Sequence, residues 1–222
     1  MRWASGRTGR RWSMSAGCSE GSAGPGAVRG AGDKVLNCPL DELAAIARDV
    51  LAGGNRLRFR ARGFSMLPII EDGDTVTVEP SAAGGPVRGD ILLTTDAAGA
   101  VRVHRLLAVT RRGSQQRYIT RGDNSGSADP PVNAAGILGI VRSVQKHNGG
   151  REVDLAGDAG LRRAGRALAG LQSLSWRLLV LRKDADGNGG KAGAVAAGLA
   201  LRGLGLLSKA PRSYLRRRVG SA

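Results

Sequence analysis

The chain has 222 residues, of which 41% are hydrophobic and 3% aromatic, and it carries a formal net charge of +16. This length allows one ordinary domain with appendages and a modest hydrophobic core. Its two cysteines, Cys18 and Cys38, form no CxxC motif and no metal-ligand spacing, which excludes a disulfide framework or a zinc site and leaves reduced thiols as the expectation.

The first 34 residues are rich in Gly, Ser, Ala and Arg, and they carry six basic and two acidic side chains. A segment without a hydrophobic period cannot bury enough surface to offset the entropy of ordering the chain, so we predict a disordered basic segment over 1–34. A twin-arginine signal at Arg10-Arg11 or a lipoprotein signal at Cys18 would require an apolar stretch, which this segment lacks. We expect no signal peptide.

A helix of about 39–52 is predicted next, at the start of a domain that we place at 35–157. Apolar residues recur there at helical spacing and stop at Gly53-Gly54. The apolar positions are Leu43, Ile46, Ala47, Val50 and Leu51. This amphipathic helix is too short and too charged to span a bilayer.

Residues 56–145 alternate apolar and polar side chains in runs such as 75–79, 90–94 and 99–104, with Gly- and Pro-rich turns between the runs. We therefore predict a mainly β fold, with a coiled antiparallel sheet as its core. The whole 35–157 domain is nearly neutral, because it carries fifteen basic and thirteen acidic side chains.

Polar side chains in this region supply what nucleophilic catalysis requires. A serine hydroxyl is a poor nucleophile at neutral pH and needs a base such as imidazole, which in turn needs an orienting carboxylate. Ser65, His104 and either Asp123 or Asp129 provide these groups. The other histidine, His147, precedes a turn and lies outside every motif, so we set it aside. Each residue alone is typical of a turn or a strand surface; their order and neighbours favour the catalytic interpretation.

The motifs follow one another in a defined order: Ser65-Met66-Leu67-Pro68, Gly73-Asp74, Gly89-Asp90, Val103-His104-Arg105, Gly122-Asp123-Asn124, Asp129 and Gly139-Ile140-Val141. Over roughly 57–145 this series closely resembles the signal peptidase I superfamily. His-Arg in place of the bacterial Lys-Arg resembles its endoplasmic-reticulum and archaeal branch. The resemblance implies a signal peptidase or repressor protease-like β core and a serine endopeptidase that cleaves after small residues, with no metal and no cofactor.

The same resemblance implies roles for individual residues. Ser65 corresponds to the nucleophile and His104 to the base. Asp129 corresponds to the catalytic aspartate that orients the base, whereas Asp123 corresponds to the turn aspartate. The sequence leaves an exchange of roles between the two aspartates open.

The residues around Ser65 depart from the family in one position. Members of this branch commonly show Ser-Gly-Ser-Met, whereas this chain has Gly63-Phe64-Ser65-Met66, so a side-chain hydroxyl donor is missing at Phe64. The Ser65 amide is expected to stabilise the oxyanion. We expect Gly63, Phe64, Met66 and Pro68 to support this site and substrate binding, with Pro68 keeping the turn rigid and its preceding residue extended.

Residues 158–222 carry thirteen basic and three acidic side chains and are predicted to form a basic amphipathic helical extension, with helices at about 159–183 and 191–209. The first helix places four leucines on one face, as an interfacial or core-packing helix does. These are Leu171, Leu174, Leu178 and Leu181. The second is interrupted by Arg202 and glycines, which disfavours a transmembrane span.

A basic cluster at 214–218 suits anionic lipid, nucleic acid phosphate or only solvent. Nucleic acid is disfavoured, because no helix-turn-helix or aromatic RNA-binding motif accompanies the charge. The family's relatives carry a membrane anchor that is missing here. We therefore expect a cytoplasmic protein, and peripheral association of the C-terminal helices with an anionic membrane would bring it close to a membrane substrate.

Three functions follow from these patterns. The leading hypothesis is an endopeptidase that cleaves a leader or signal-like segment of a precursor peptide or protein. One alternative is a self-cleaving repressor-like regulator, although such repressors use a lysine base where this chain has His104. The other alternative is a pseudopeptidase that binds peptides without cutting them, which Phe64 and the missing anchor make conceivable.

Overall fold

The computed structural model describes residues 19–20, 35–37, 40–81, 84–147, 150–187, 204–205 and 207–220. Its strands are β1 (Ser19–Glu20), β2 (Val35–Asn37), β3 (Leu57–Arg60), β4 (Thr75–Glu79), β5 (Ile91–Thr95), β6 (Val101–Arg112), β7 (Gln115–Arg121), β8 (Ile137–Gln145) and β9 (Glu152–Asp154). Its helices are α1 (Leu40–Ala52), α2 (Ala159–Gly187) and α3 (Lys209–Gly220), with a short 3-10 helix at Ala134–Gly136.

The nine strands form one sheet in the order β1-β2-β3-β4-β8-β5-β6-β7, and β9 pairs with β8. Among these strands only β2 and β3 pair in parallel; every other pair is antiparallel. The first half of β8 pairs with β5, its second half pairs with β4 and β9, and Ile140 pairs with both β4 and β5. The mainly β, antiparallel fold class predicted from the alternating residues is confirmed.

Helix α1 packs against β8, β6 and β3. Leu43, Ala47 and Leu51 of the predicted apolar face are buried. Gly139 of β8 lies beneath this helix, and a Cβ there would approach the Leu51 side chain to 3.2 Å. Burial of each leucine contributes about 2 kcal/mol to stability. The helix begins three residues after β2, close to the bounds that its periodicity predicts.

The C-terminal helices continue the core of the sheet. Leu161 and Leu168 of α2 and Leu215 and Val219 of α3 belong to the same buried cluster as the sheet side chains. The basic cluster at 214–218 is therefore part of a packed helix, whose buried side contains Leu215. Helix α2 extends to 187, beyond its predicted end near 183. The predicted helix at 191–209 lies almost entirely outside the described residues.

The predicted apolar face of α2 does not make the core contact. Leu174 is 47% exposed, whereas Leu161, Leu168 and Ala169 are buried; the Leu181 side chain lies outside the described residues. Leu171 and Leu178 of that face are half-buried, so the face is partly covered. The rotation of α2 is set elsewhere, because a Cβ at Gly165 would lie 2.6 Å from an Arg105 nitrogen, so the helix turns its glycine toward the sheet.

Only a small part of the segment 1–34, predicted to be disordered, lies among the described residues. Most of 1–34, together with Cys18 and Cys38, lies outside the described residues. Ser19 and Glu20 do form β1, which pairs with Asn37 and Leu36 of β2. Within the described ranges, none of the helices has the length and apolar character needed to cross a membrane.

Candidate active site

Ser65 lies in the connection between β3 and β4, and backbone bonds close this connection at its base. Ala61 donates to the Asp74 carbonyl at 2.7 Å, and Gly73 donates back to the Ala61 carbonyl at 2.9 Å. Met66 beside the serine is buried in the core. A polar loop with a buried apolar side chain and a closed base holds the serine hydroxyl in a defined place.

A buried ion pair supports the same loop from below. Lys146 donates to Asp74 Oδ2 at 2.8 Å and to the Ile69 carbonyl at 3.1 Å. Burial raises the pKa of Asp74, but the hydrogen bonds from Lys146 and from the Glu71 and His147 amides outweigh it and hold that pKa below its ordinary value. The sequence predicted neither Lys146 nor Asp74 as a structural pair, since 72 residues separate them.

Three ligand-type side chains meet around this pair. Oxygen or nitrogen atoms of Glu71, Asp74 and His147 lie within 4.8 Å of one another. Lys146 already lies 2.8 Å from Asp74 and 3.6 Å from Glu71, so its ammonium supplies the positive charge there. His147, set aside on sequence grounds, contacts Asp74 through its amide at 3.1 Å and its ring at 3.3 Å. The cluster is a structural brace.

The predicted nucleophile, base and carboxylate form one hydrogen-bonded chain. His104 Nε2 lies 3.0 Å from Ser65 Oγ, and His104 Nδ1 lies 2.6 Å from Asp129 Oδ2. The His104 and Asp129 side chains are 11% and 15% exposed. Because the carboxylate accepts the Nδ1 proton, Nε2 carries the lone pair that faces the serine hydroxyl.

Asp129 itself is held by a residue that the sequence did not single out. Thr120 donates its hydroxyl to Asp129 Oδ2 at 2.7 Å, and the Asp129 amide donates to the Thr120 carbonyl at 2.8 Å. Thr120 is buried on β7. The only sequence signal is its position just before Arg121-Gly122-Asp123, which would not distinguish it from any strand threonine.

The structure separates the two candidate aspartates. Arg105 donates to Asp123 Oδ1 at 2.8 Å and to Oδ2 at 2.6 Å, and it also donates to the Gly89 carbonyl at 2.6 Å. Arg105 is 3% and Asp123 0% exposed. Both oxygens of Asp123 are thus bound by a buried guanidinium, whereas Asp129 contacts His104.

The turn at 122–124 is pressed against the backbone of Ser65. The Asn124 amide donates to the Ser65 carbonyl at 2.7 Å, and its side chain donates to the Phe64 carbonyl at 3.3 Å. A Cβ at Gly122 would lie 2.6 Å from the Ser65 carbonyl oxygen. A glycine is therefore required at this approach, and the ion pair of Asp123 fixes the turn that makes it.

The four residues predicted to support Ser65 lie in two different places. Gly63 and Met66 line the cleft beside the serine. Gly63 adopts φ +94° and donates its amide to Asp72 Oδ1 at 2.8 Å. Phe64 is 66% exposed and does not line that cleft. Pro68, preceded by a cis peptide bond, lines a separate cavity and is not among the residues that line the cleft.

A cleft of about 140 Å³ adjoins Ser65 and His104. Apolar side chains form most of its wall, and three arginines lie along it: Leu43, Phe59, Met66, Ile70, Val101 and Val103, with Arg60, Arg62 and Arg102. Within the described chain, residues 101–104 pair with β5, and pairing of β6 with β7 begins only at Arg105. One edge of 101–104 is therefore without a strand partner.

Comparison with known proteins adds no assignment. No protein-family model matches the chain, and no curated protein matches it in sequence. The functional argument consequently depends on the residues and their geometry.

Proposed function

We propose that this protein is a serine endopeptidase of the signal peptidase I type, with Ser65 as nucleophile, His104 as general base and Asp129 as the orienting carboxylate. One observation carries the proposal: the continuous chain of hydrogen bonds from Ser65 Oγ through both ring nitrogens of His104 to Asp129. Surface histidines do not commonly have a carboxylate on one nitrogen and a serine hydroxyl on the other. This is the arrangement that activates a hydroxyl.

The reaction follows from these contacts. Ser65 Oγ attacks the scissile carbonyl carbon while its proton passes to His104 Nε2. Asp129 accepts the Nδ1–H bond and stabilises the imidazolium that forms. The imidazolium then gives its proton to the leaving amine, and water hydrolyses the acyl-enzyme with His104 again acting as base. The Thr120 hydroxyl holds the Asp129 carboxylate through its hydrogen bond to Oδ2.

The Ser65 amide is suited to receive the oxyanion. The carbonyl groups of Phe64 and Ser65, on either side of this amide, both accept hydrogen bonds from Asn124. The hydrogen bonds of the described residues include none in which the Ser65 amide donates. A donor already aimed beside the nucleophile contributes most when charge develops on the carbonyl oxygen. Phe64 contributes no hydroxyl donor, so we expect the backbone to carry this role.

The cleft supports a linear substrate with small side chains. An extended peptide can pair with the unpartnered edge of 101–104, as peptides commonly add to strand edges. The cleft has a volume of about 140 Å³ beside Ser65, and a preference for small side chains is what the family resemblance implies. We propose a leader or signal-like segment of a precursor as substrate, reached through peripheral association with an anionic membrane.

Cleavage of a pooled peptide library, read by mass spectrometry, tests the proposal. Wild type is compared with Ser65→Ala and His104→Ala, and Ser114→Ala in an exposed turn is the matched control. We expect cuts after small residues that persist in the control and vanish in both site variants. Identical cuts in Ser65→Ala would overturn the proposal. Peptide binding by folded wild type without any cut would favour the pseudopeptidase, and a chain that cuts only itself would favour the repressor-like alternative.

A further inference from the structure

A second cavity lies between α2 and the C-terminal segment. It has a volume of about 350 Å³ and shares no lining residue with the cleft beside Ser65. We call it the α2–α3 cavity. Its polar lining includes Arg121 of β7, Gln172 of α2 and Arg212 of α3. Three elements that are distant in sequence thus contribute two arginines and a glutamine to the lining of one cavity.

The two arginines of this cavity lack a matching acid. The pKa of Arg121 is lowered first by burial and then by the positive charge of Arg212. The negative charge of Asp123 raises the pKa of Arg121, but both carboxylate oxygens of Asp123 are bound by Arg105. The described residues that line the cavity include no Asp or Glu. Two like charges are therefore held near each other, an arrangement that a bound anion stabilises.

Two residues that line the cavity each have a buried polar atom with unused hydrogen-bonding capacity. In the described structure, Arg212 Nε is a buried donor without an acceptor, and Gln172 Oε1 is a buried acceptor without a donor. The Gln172 amide nitrogen donates to the Asp123 carbonyl at 3.5 Å, which orients the amide. A ligand that satisfies both atoms must accept from a guanidinium and donate to a carbonyl oxygen.

We propose that the α2–α3 cavity binds a phosphate group that retains a proton, either inorganic phosphate or a phosphate monoester. Its oxygens accept from Arg121 and Arg212, and its P–OH donates to Gln172. A fully deprotonated sulfate has similar size and charge but no proton for Gln172. A carboxylate satisfies the charges but leaves the amide oxygen unpaired. The assignment is independent of whether the protein cleaves peptides.

The position of the cavity gives the bound phosphate a structural consequence. Arg121 directly precedes the turn that presses on Ser65, and it donates to the Ser125 carbonyl at 2.9 and 2.6 Å. Arg212 also lines the neighbouring cavity with Pro68 and Asn124. A phosphate between the two arginines joins α3 to this turn, and its binding to the folded state alone raises the melting temperature by mass action.

Calorimetric titration of the full chain with inorganic phosphate, at constant ionic strength, tests the site. Arg212→Gln is expected to weaken binding about tenfold or more, because a charge-assisted contact is lost. Arg216→Gln removes the same charge from an exposed position on α3 that does not line the cavity, so binding should be unchanged. Circular dichroism establishes that both variants are folded, and Arg212→Lys tests the loss of the guanidinium fork should the glutamine variant not fold.

Three results would overturn the proposal. They are equal weakening by Arg212→Gln and Arg216→Gln, sulfate binding as tight as phosphate binding, and no saturable binding below about 10 mM phosphate. The same titration on Ser65→Ala is expected to give unchanged phosphate binding. Phosphate binding is thereby tested separately from peptidase activity.

Vesicle flotation then distinguishes the sources of the phosphate group. Phosphatidylcholine vesicles with and without phosphatidic acid are compared, with inorganic phosphate as competitor. Binding that requires phosphatidic acid and Arg212, and that free phosphate displaces, identifies a lipid headgroup. Calorimetric binding that depends on Arg212 without such flotation identifies a soluble phosphate. Phosphatidic acid-dependent flotation that is unchanged in Arg212→Gln would contradict a lipid occupant of this cavity.

Discussion

The two sides of the turn at 122–124 use the same chemical groups for opposite purposes. On one side, Asp129 accepts a hydrogen bond from His104 and remains partly exposed. On the side covered by α2, Asp123 binds Arg105 in a fully buried pair. The two aspartates are only six positions apart. Burial and the choice of partner, more than residue type, decide whether a carboxylate contacts an imidazole or holds a backbone turn in place.

The largest expected effect is a loss of activity on substituting Asp129, the aspartate that contacts His104. Asp129→Asn should lower kcat by about 10⁴-fold, because the amide favours the wrong tautomer of His104, an effect of the size known for the trypsin aspartate. The free energy of unfolding should change by less than about 1 kcal/mol, since the position is at the cleft. Steady-state kinetics and urea denaturation measure the two quantities. A variant that keeps wild-type kcat would remove Asp129 from the mechanism.

The second effect concerns stability on the opposite side of the turn. Asp123→Asn should lower the free energy of unfolding by about 3–5 kcal/mol, because it leaves the Arg105 charge buried and unpaired. Asp96→Asn breaks the ion pair with Arg102 at 2.7 Å near the surface and is the matched control, with a much smaller expected loss. Equal losses in the two variants would contradict a structural role specific to Asp123.

The third effect is a pH dependence from the brace under Ser65. The pKa of Asp74 is lower in the folded protein than its ordinary value of 3.8, so its contribution is present above that value and is lost as pH falls through the folded pKa. Below pH 3.8, the free energy of unfolding of the wild type should fall with decreasing pH. Asp74→Asn should reduce the slope of this fall by up to about 1.4 kcal/mol per pH unit. Urea denaturation at a series of acidic pH values measures the slope; parallel curves would exclude this linkage.

The smallest effect tests how Asp129 is positioned. Thr120→Val keeps the shape of the side chain and removes the hydroxyl that donates to the carboxylate. We expect kcat to fall about fivefold with KM unchanged, as for the loss of one hydrogen bond to a charged group. Thr120→Ser should restore most of the rate. If serine and valine lower the rate equally, packing and not the hydroxyl is responsible.

Parts of the site could be predicted because their signals are local. The spacing of Leu43, Ala47 and Leu51 predicts α1 without any knowledge of its neighbours. The Ser-Met-x-Pro, Val-His-Arg and Gly-Asp-Asn motifs select Ser65, His104 and the pair of aspartates. Thr120 and Lys146 carry no comparable signal, because their partners are 9 and 72 residues away and their residue types are ordinary.

The sequence by itself determined the alternating strands, the short amphipathic helix and the set of polar side chains that could perform catalysis. Only the tertiary structure decided which aspartate contacts His104, that Gly165 of α2 faces the sheet, and that Leu215 in the basic tail is buried. Periodicity and turn chemistry act over a few residues and are readable in a chain. Which of the two aspartates contacts His104 depends on which carboxylate is buried beneath a packed helix. That burial arises only when segments distant in sequence come together.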